Sequence, residues 1–189
     1  SSGKMGYAIA NEAASLGAEV ILVSGPASDL TIHPRVTLVQ TKTADEMHTA
    51  CLRHFSNCDI LVMAAAVADY KPKYKAEDKI KKEEEITSVE LVKTVDILES
   101  LGKKKTNQIL VGFALETDNE LSNAKEKIKK KNLDAIILNS LADKEAGFQH
   151  STNKITFIPA RGRHTAYPLK DKSEAAVDIL AQIKTMIDV

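Results

Sequence analysis

Residues 59–66 read DILVMAAA, an apolar run that is typical of a strand covered on both faces of a sheet. Comparable strand patterns and intervening helical patterns precede it: strands EVILVSG (19–25) and RVTLVQ (35–40), and helices over 4–16 and 43 to about 56. The second of these helices begins with a capping-box pattern formed by Thr43 and Glu46. Strands that alternate with helices predict a doubly wound, mostly parallel sheet.

The same alternation continues to the end of the chain. It predicts strands at 87–92, QILVGFA (108–114) and 134–139, and helices at 95–101, 119–131 and 173–187. The intervening segment 68–85 is polar, rich in lysine and interrupted by Pro72, so we expect a long mobile loop there. NKITFIPA and RHTAYPL flank ARGR and predict a β-hairpin near the C-terminus. The sequence therefore predicts one α/β domain over 1–189, with a Rossmann-like doubly wound sheet and a C-terminal β-hairpin extension.

Composition limits the classes of function. Lysine and arginine together number 26, as do aspartate and glutamate, so no net charge draws the chain to nucleic acid or to an anionic membrane. The chain has 2 cysteines, no CxxC and no histidine at metal-ligand spacing, which argues against a disulfide framework or a structural zinc. No apolar run approaches the length of a membrane span, and no leader-like segment precedes the first helix. We therefore expect a soluble, cytoplasmic protein.

Candidate ligand-binding residues lie where strands end, because open parallel sheets bind ligands outside the carboxyl ends of their strands. Ser1, Ser2 and Gly3 precede the first helix, where unpaired amides and the helix dipole favour a phosphate, although an ordinary N-cap would look the same. AAAVADY follows the third strand, and its small residues would let a flat ring approach the backbone. Asp69 is available there for a hydroxyl group or a cation, although a tightly packed strand end is an equal interpretation.

Lysines supply a second set of candidates. KIKK at 79–82 lies in the long loop and is interpreted either as a solvated charge cluster or as part of a lid. Lys127 and Lys131 lie one turn apart on one helix face, where solvated lysines are the default interpretation. Phe113, near the end of a predicted strand, suits either the core or a planar ligand. The 5 histidines lack serine or cysteine partners at recognisable spacing, which gives nucleophilic catalysis little support.

Seven segments together resemble the phosphopantothenoylcysteine synthetase family, the bacterial phosphopantothenate–cysteine ligases. They occur in family order along essentially the whole chain: SSGKMG, LVSGP, AAAVADY, EDKIKK, VDIL, GFALET and KKKNLDAIILNS. The resemblance implies a cytoplasmic, CTP-dependent ligase of the acid–amino-acid class that condenses 4'-phosphopantothenate with cysteine in coenzyme A biosynthesis. It also implies Mg²⁺ or Mn²⁺, no flavin in this domain, a homodimer, and frequent fusion to a flavin-dependent decarboxylase.

The resemblance also implies roles for individual residues. Lys79 would be the catalytic lysine of a lid, and Asp69 would contact the nucleotide or its metal ion. The full set expected to bind nucleotide or substrate is Ser1, Ser2, Gly3, Ala65, Ala66, Asp69, Asp96, Ile97, Leu98, Phe113, Lys127 and Lys131. Among them, Ala65 and Ala66 would lie beside the reaction centre. The same resemblance implies that the hairpin around 154–168 pairs two subunits.

Two departures from the family pattern concern the first residues and one motif. Members carry a first strand ending in a GGTxExID-like segment, followed by an asparagine two residues before the first serine, and SSGKMG comes after both. We therefore expect that SSGKMG is an interior motif and that residues 1–189 lack the family's first strand. The chain also reads KTVDIL at 93–98, where members commonly read KNPDIL.

Two other classes of function are weighed against the ligase. A nicotinamide-dependent short-chain-type reductase would suit the same sheet. However, GxGxxG is absent and no tyrosine has a lysine four residues later. A nucleic-acid-binding module would use the lysine runs, but the zero net charge and the lack of clustered aromatic residues oppose it.

Overall fold

The computed structural model describes residues 2–27, 30–74, 88–116, 119–140 and 152–187. The helices are α1 (Lys4–Ser15), α2 (Ala44–Phe55), α3 (Ile97–Gly102), α4 (Glu120–Lys131) and α5 (Lys172–Ile187). The strands are β1 (Val20–Ser24), β2 (Val36–Gln40), β3 (Ile60–Met63), β4 (Tyr70–Pro72), β5 (Leu91–Lys93), β6 (Ile109–Glu116), β7 (Ala135–Ser140), β8 (Thr152–Asn153), β9 (Ile155–Pro159), β10 (Thr165–Ala166) and β11 (Lys170–Asp171). The predicted helices and strands occur in the predicted order, whereas β4, β8 and β11 were not predicted.

Within the described residues, the largest sheet has the order β10-β9-β7-β6-β3. β3, β6 and β7 are parallel, with Met63 opposite Gly112, whereas β9 runs antiparallel to β7. β10 pairs with β9 as the predicted hairpin, with Thr165 opposite Phe157. The prediction of a mostly parallel sheet within an α/β fold is confirmed. Its three parallel strands end at one edge, here called the carboxyl edge.

The first two strands form a separate sheet. β1 and β2 are parallel, with Val20 opposite Val36, and neither hydrogen-bonds to the larger sheet in the described part of the chain. The two sheets nevertheless contribute to one hydrophobic core, because Val23 of β1 and Leu61 of β3 pack against the same core cluster. On the other face, α1 contacts β1 and places Gly6 against Ala64, which follows β3. The predicted single sheet is thus divided between β1 and β3.

Side chains on alternate positions of the strands build a core on each face of the larger sheet. Leu110 and Ala114 of β6 face a cluster that includes residues of α2, α3 and α4. Val111 faces the opposite cluster, formed with α1 and α5, where Ile179 is fully buried. β6 is therefore covered on both faces, as its apolar sequence predicts.

The predicted loop at 68–85 and the predicted strand at 87–92 differ from the structure. β4 and β5 pair antiparallel, with Tyr70 opposite Lys93, and form a two-stranded unit here called the β4–β5 ribbon. Lys71 of the ribbon forms an ion pair with Asp45 at the start of α2, and Lys73 forms one with Glu90 at 2.7 Å. Residues 75–87, which hold most of the predicted lid, lie outside the described residues.

The C-terminal ends of α3 and α4 meet at unusually short range. A Cβ atom placed on Gly102 would lie 1.9 Å from the carbonyl oxygen of Lys131, so this contact requires glycine. Asn132 caps α4 in the left-handed conformation, and its side-chain amide donates a 3.0 Å hydrogen bond to the Gly102 carbonyl. The contact fixes α3 against α4 and thereby positions the residues at the start of α3.

Candidate functional site

The turn before α1 lies at the position where a phosphate site was predicted. Gly3 is the N-cap of α1, and its φ of 76° is left-handed. The Gly3 carbonyl accepts the first helical hydrogen bond from the Tyr7 amide at 3.1 Å. The glycine packs closely, since an added Cβ would lie 3.4 Å from the Ala27 Cβ. Ser2 is exposed, and Ser1 lies outside the described residues.

The segment after β3 approaches the same helix. An added Cβ on Gly6 would lie 3.9 Å from the Ala64 Cβ, so the first turns of α1 and the end of β3 are neighbours. Ala65, Ala66 and Asp69 follow and are exposed. Thr94 holds the segment after β3 in place, because the Thr94 amide donates to the Asp69 carbonyl at 2.9 Å and the Thr94 hydroxyl donates to the Ala68 carbonyl. Thr94, which stands where the family pattern has asparagine, therefore has a structural role.

Asp96 and Lys131 form an ion pair at 2.7 Å, although they are far apart in sequence. The Asp96 carboxylate also caps α3 by accepting a 2.9 Å hydrogen bond from the Glu99 amide. Partial burial raises the pKa of Asp96, but hydrogen bonds from Lys131 and the Glu99 amide, with the charges of Lys131 and Lys130, outweigh it. The net pKa of Asp96 is therefore below its ordinary value.

Lys127 lies one turn before Lys131 on α4. This helix connects two parallel strands, so it runs from the carboxyl edge toward the opposite edge of the sheet. Helical side chains lean toward the helix N-terminus. Lys127 therefore leans toward the carboxyl edge, where ligands of open parallel sheets bind, whereas Lys131, the last residue of α4, directs its amine to Asp96 at the start of α3.

Three of the predicted ligand-binding side chains lie in or against the core. Ile97 and Leu98 are buried, with exposures of 2% and 7%, in the cluster beneath α2, α3 and α4. Their side chains face away from solvent, so only their backbone groups are placed to meet a ligand. Phe113 is half-buried and packs against the cluster formed with α1 and α5. The structure thus brings Asp96 and Lys131 together but places Phe113 on the opposite face of the sheet.

A cleft of about 740 Å³ lies at the carboxyl ends of β1 and β2. Its walls are formed by Tyr7, Gly25, Pro26, Ala27, Gln40, Thr41, Lys42 and Glu46. LVSGP is part of the family resemblance, but no ligand-binding role was predicted for Tyr7 or for the other residues of this cleft. The signal that points to the cleft is the Gly25-Pro26 pair directly after a buried-type strand, which is where an open sheet leaves a crevice.

Other reactive groups in the described residues include His48, whose Nε2 atom forms a 2.9 Å hydrogen bond with the Ser100 Oγ atom, a serine partner that the sequence spacing did not reveal. No group of three or more histidine, cysteine, aspartate or glutamate side chains there could hold a metal ion. Burial, together with the charge of Cys58, raises the pKa of the Cys51 thiol to about 11, so this thiol is a poor nucleophile. Among the described helices, none combines the length and apolar character that a membrane crossing requires.

We expect Asp96→Asn to lower the free energy of unfolding by less than about 1 kcal/mol at neutral pH, because asparagine keeps the helix cap and loses only a partly exposed ion pair. A carboxyl group with a depressed pKa contributes stability above its unfolded pKa and loses it as pH falls through the folded pKa. The difference between the two proteins should therefore shrink as pH falls below about 4 and vanish below the folded pKa of Asp96. Urea denaturation at neutral pH and at about pH 3 measures it, and a difference that is as large in acid as at neutral pH would contradict this assignment.

The chain is similar to known proteins along almost its whole length. The family described as DNA/pantothenate metabolism flavoprotein C-terminal domain matches residues 1–187. The chain is 47% identical over 188 residues to a cysteine/cysteine sulfinic acid decarboxylase from an unknown prokaryotic organism, covering 99% of this chain and 52% of that protein. It is 40% identical over 186 residues to the coenzyme A biosynthesis bifunctional protein CoaBC of Bacillus subtilis (strain 168), covering 98% and 46%. The chain thus spans about half the length of these curated relatives.

A solved structure supports the same relationship. The crystal structure of the C-terminal domain of the coenzyme A biosynthesis bifunctional protein CoaBC superposes on this chain with a TM-score of 0.83 at 42% sequence identity. The superposition covers 100% of this chain and 84% of that one.

Proposed function

The chain belongs to the DNA/pantothenate metabolism flavoprotein C-terminal domain family, and on that premise we propose that it is a phosphopantothenate–cysteine ligase acting in coenzyme A biosynthesis. The observation that carries the proposal is the 42% identity to the C-terminal domain of CoaBC across 100% of this chain. We propose that the decarboxylase activity in the name of the other relative belongs to the part that this chain does not span. A flavin-dependent decarboxylase is accordingly the fusion partner that we propose.

The proposed reaction has two steps. A carboxylate oxygen of 4'-phosphopantothenate attacks the α-phosphorus of CTP, which forms an acyl-cytidylate and releases pyrophosphate. The amine of cysteine then attacks the acyl carbon, the amide bond forms, the amine loses a proton and CMP leaves. Neither step requires a nucleophile from the protein, which agrees with the high pKa of Cys51.

We assign the phosphate chain of the nucleotide to the turn at Ser1, Ser2 and Gly3. The start of α1 at Lys4 supports this assignment, because the first amides of a helix and the helix dipole favour negative charge. Ala65 and Ala66 are exposed beside this helix, where their small side chains leave room for the reacting acyl group. The turn at Ser1, Ser2 and Gly3 would therefore lie on one side of the bond that forms between substrate and nucleotide, with Ala65 and Ala66 beside it.

Asp69 would hold Mg²⁺ or Mn²⁺ together with the phosphates of CTP. Its carboxylate is exposed at the carboxyl edge, and Mg²⁺ is commonly held by one or two carboxylates and by substrate phosphates. A bound divalent cation supplies neutralisation of phosphate charge. The residues present fit such an ion without a dedicated cluster of protein ligands.

Pyrophosphate release tests the proposed function. We expect release that requires 4'-phosphopantothenate and CTP with Mg²⁺, followed by amide formation that requires cysteine. ATP in place of CTP measures nucleotide preference. Oxidation of NADPH without turnover of CTP would instead support the short-chain-type reductase.

We expect the double variant Lys127→Met and Lys131→Met to weaken CTP·Mg²⁺ binding about tenfold, because the family resemblance assigns both side chains to the nucleotide. The matched control is Lys125→Met with Lys129→Met. These two lysines are also one turn apart on α4 but are exposed on another face. Isothermal titration calorimetry measures both double variants, and equal affinities would show that Lys127 and Lys131 do not bind the nucleotide.

We propose that the complete fold carries a further parallel strand between β1 and β3. The support is that each of these strands has one paired edge in the described residues, while α1 and α2 bridge the space from the two faces. Adding the first strand typical of the family ahead of Ser1 should join the two sheets and raise the melting temperature.

We also propose a two-fold homodimer. Two surfaces are candidates for the interface: the hairpin around 154–168 and the β4–β5 ribbon. The described surface favours the ribbon, where Tyr70 and Leu91 are 53% and 56% exposed. A two-stranded ribbon is marginally stable alone, and pairing with a second copy would extend it to four strands.

Light scattering with variants of each surface tests the dimer. We expect the unmodified protein to have the dimer mass at micromolar concentration and Leu91→Asp to shift it to the monomer. Thr165→Asp, on the hairpin strand β10, should leave the mass unchanged. Dissociation by Thr165→Asp alone would assign the interface to the hairpin, and a monomeric unmodified protein would contradict the dimer.

A further inference from the structure

Asn153 of β8 connects three elements near the carboxyl edge. Its side chain is almost fully buried, with 2% of the residue exposed. Its amide nitrogen donates to the Asn139 Oδ1 atom at the end of β7, at 3.1 Å, and to the Met5 Sδ atom in the first turn of α1, at 3.7 Å. Both amide hydrogens are therefore used, one toward the sheet and one toward the helix.

The oxygen of the same side chain is unsatisfied. Among the described residues, Asn153 Oδ1 is the buried side-chain oxygen or nitrogen atom that has no hydrogen-bond partner. Burying a polar atom without a partner costs free energy that an apolar side chain of similar shape would not lose. The oxygen therefore contributes no stability, and what distinguishes this asparagine is the pair of contacts that its amide makes with Asn139 and Met5.

We propose that Asn153 is a positioning residue for the nucleotide site, an inference that rests on the proposed function. Its amide draws the first turn of α1 toward the end of β7 and thereby sets where the turn at Ser2 and Gly3 meets the ligand. The same amide holds the side chain of Asn139 in one orientation, with the oxygen toward Asn153. Asn153 does not touch the nucleotide in this proposal but acts through α1 and Asn139.

The test compares two buried side-chain amides, Asn153 and Gln108, which lie at opposite edges of the sheet. Asn153→Leu keeps the branched shape of the side chain, and Asn153→Ala cannot overfill the site. The matched control is Gln108→Met, because Gln108 is 5% exposed and lies just before β6. The Gln108 side chain is satisfied, since it accepts from the Thr106 amide at 2.8 Å and donates to the Phe55 carbonyl at 3.4 Å.

Three quantities are measured for each protein: the melting temperature, the dissociation constant for CTP with Mg²⁺, and hydrogen exchange of the amides in the first turns of α1. For Asn153→Leu we expect a melting temperature within about 3 °C of the unmodified protein. For both Asn153 variants we expect about tenfold weaker CTP binding and faster exchange in α1. Gln108→Met should lower the melting temperature and leave CTP binding and α1 exchange unchanged.

The outcomes separate this inference from the proposed function. Unchanged CTP binding and unchanged α1 exchange in both Asn153 variants would overturn the inference. So would failure of both variants to fold, because the role of Asn153 would then be structural. If the unmodified protein binds neither CTP nor ATP with Mg²⁺, the proposed function fails. In that case faster exchange in α1 alone supports a positioning role for Asn153, and unchanged exchange overturns it.

Discussion

Gly102→Ala is expected to lower the free energy of unfolding by about 3 kcal/mol or more, because the new methyl group has no room. Its position would be 1.9 Å from the Lys131 carbonyl oxygen and 2.9 Å from the carbonyl carbon. These are backbone atoms, so no side chain can rotate to relieve the overlap. The backbone of α4 is itself fixed there by the left-handed Asn132 and its hydrogen bond to Gly102. Urea denaturation followed by circular dichroism measures the loss.

Gly6→Ala is the matched control for a glycine within a helix. A Cβ at Gly6 would lie 3.9 Å from its nearest neighbour, the Ala64 Cβ, which is an ordinary contact distance. Alanine has the higher helix propensity, so we expect stability to stay the same or to rise by up to about 1 kcal/mol. Equal stability of Gly102→Ala and the unmodified protein would show that α3 and α4 separate without cost.

Lys79→Ala is expected to lower kcat on the order of 10² or more, the largest effect on catalysis that we predict. The transfer of the α-phosphoryl group develops negative charge that a placed cation stabilises, and no protein nucleophile shares that role. Lys79 lies outside the described residues, and the prediction rests on the family resemblance of EDKIKK. Steady-state pyrophosphate release at saturating CTP measures kcat, and the affinity for CTP should change only moderately.

Lys82→Ala is the control for charge alone, because Lys82 belongs to the same KIKK run. We expect it to change kcat much less than Lys79→Ala does. The comparison separates one placed cation from a generally basic loop. Small and equal losses in both variants would mean that the run at 79–82 is simply solvated.

Periodicity predicted the helices better than it predicted the strand ends. The apolar run at 59–66 predicts a strand through Ala66, but β3 ends at Met63. Nothing in a run of alanines marks where pairing stops, since pairing depends on the neighbouring strand. The β4–β5 ribbon was missed for the same reason, because its two short strands face each other only after residues distant in sequence meet.

Sequence likewise predicted some features of the candidate site and missed others. The resemblance named Asp96 and Lys131, but their ion pair depends on the close packing of α3 and α4, which a sequence pattern does not encode. It also named Ile97 and Leu98, whose side chains lie in the core. Asn153 had no signal in the sequence, because a single asparagine near a strand is ordinarily interpreted as a turn residue.

The division of the sheet in residues 1–189 affects how this chain unfolds. No strand pairing in the described residues links β1 and β2 to the larger sheet, so the two parts cooperate through side chains beneath α1 and α2. Such packing weakens gradually as helices shift, whereas a hydrogen-bonded ladder ties neighbouring strands directly. In residues 1–189 without the strand proposed between β1 and β3, the β1–β2 unit is therefore expected to open at a lower free energy than β6 and β7, as a sub-global unfolding step that leaves the larger sheet folded.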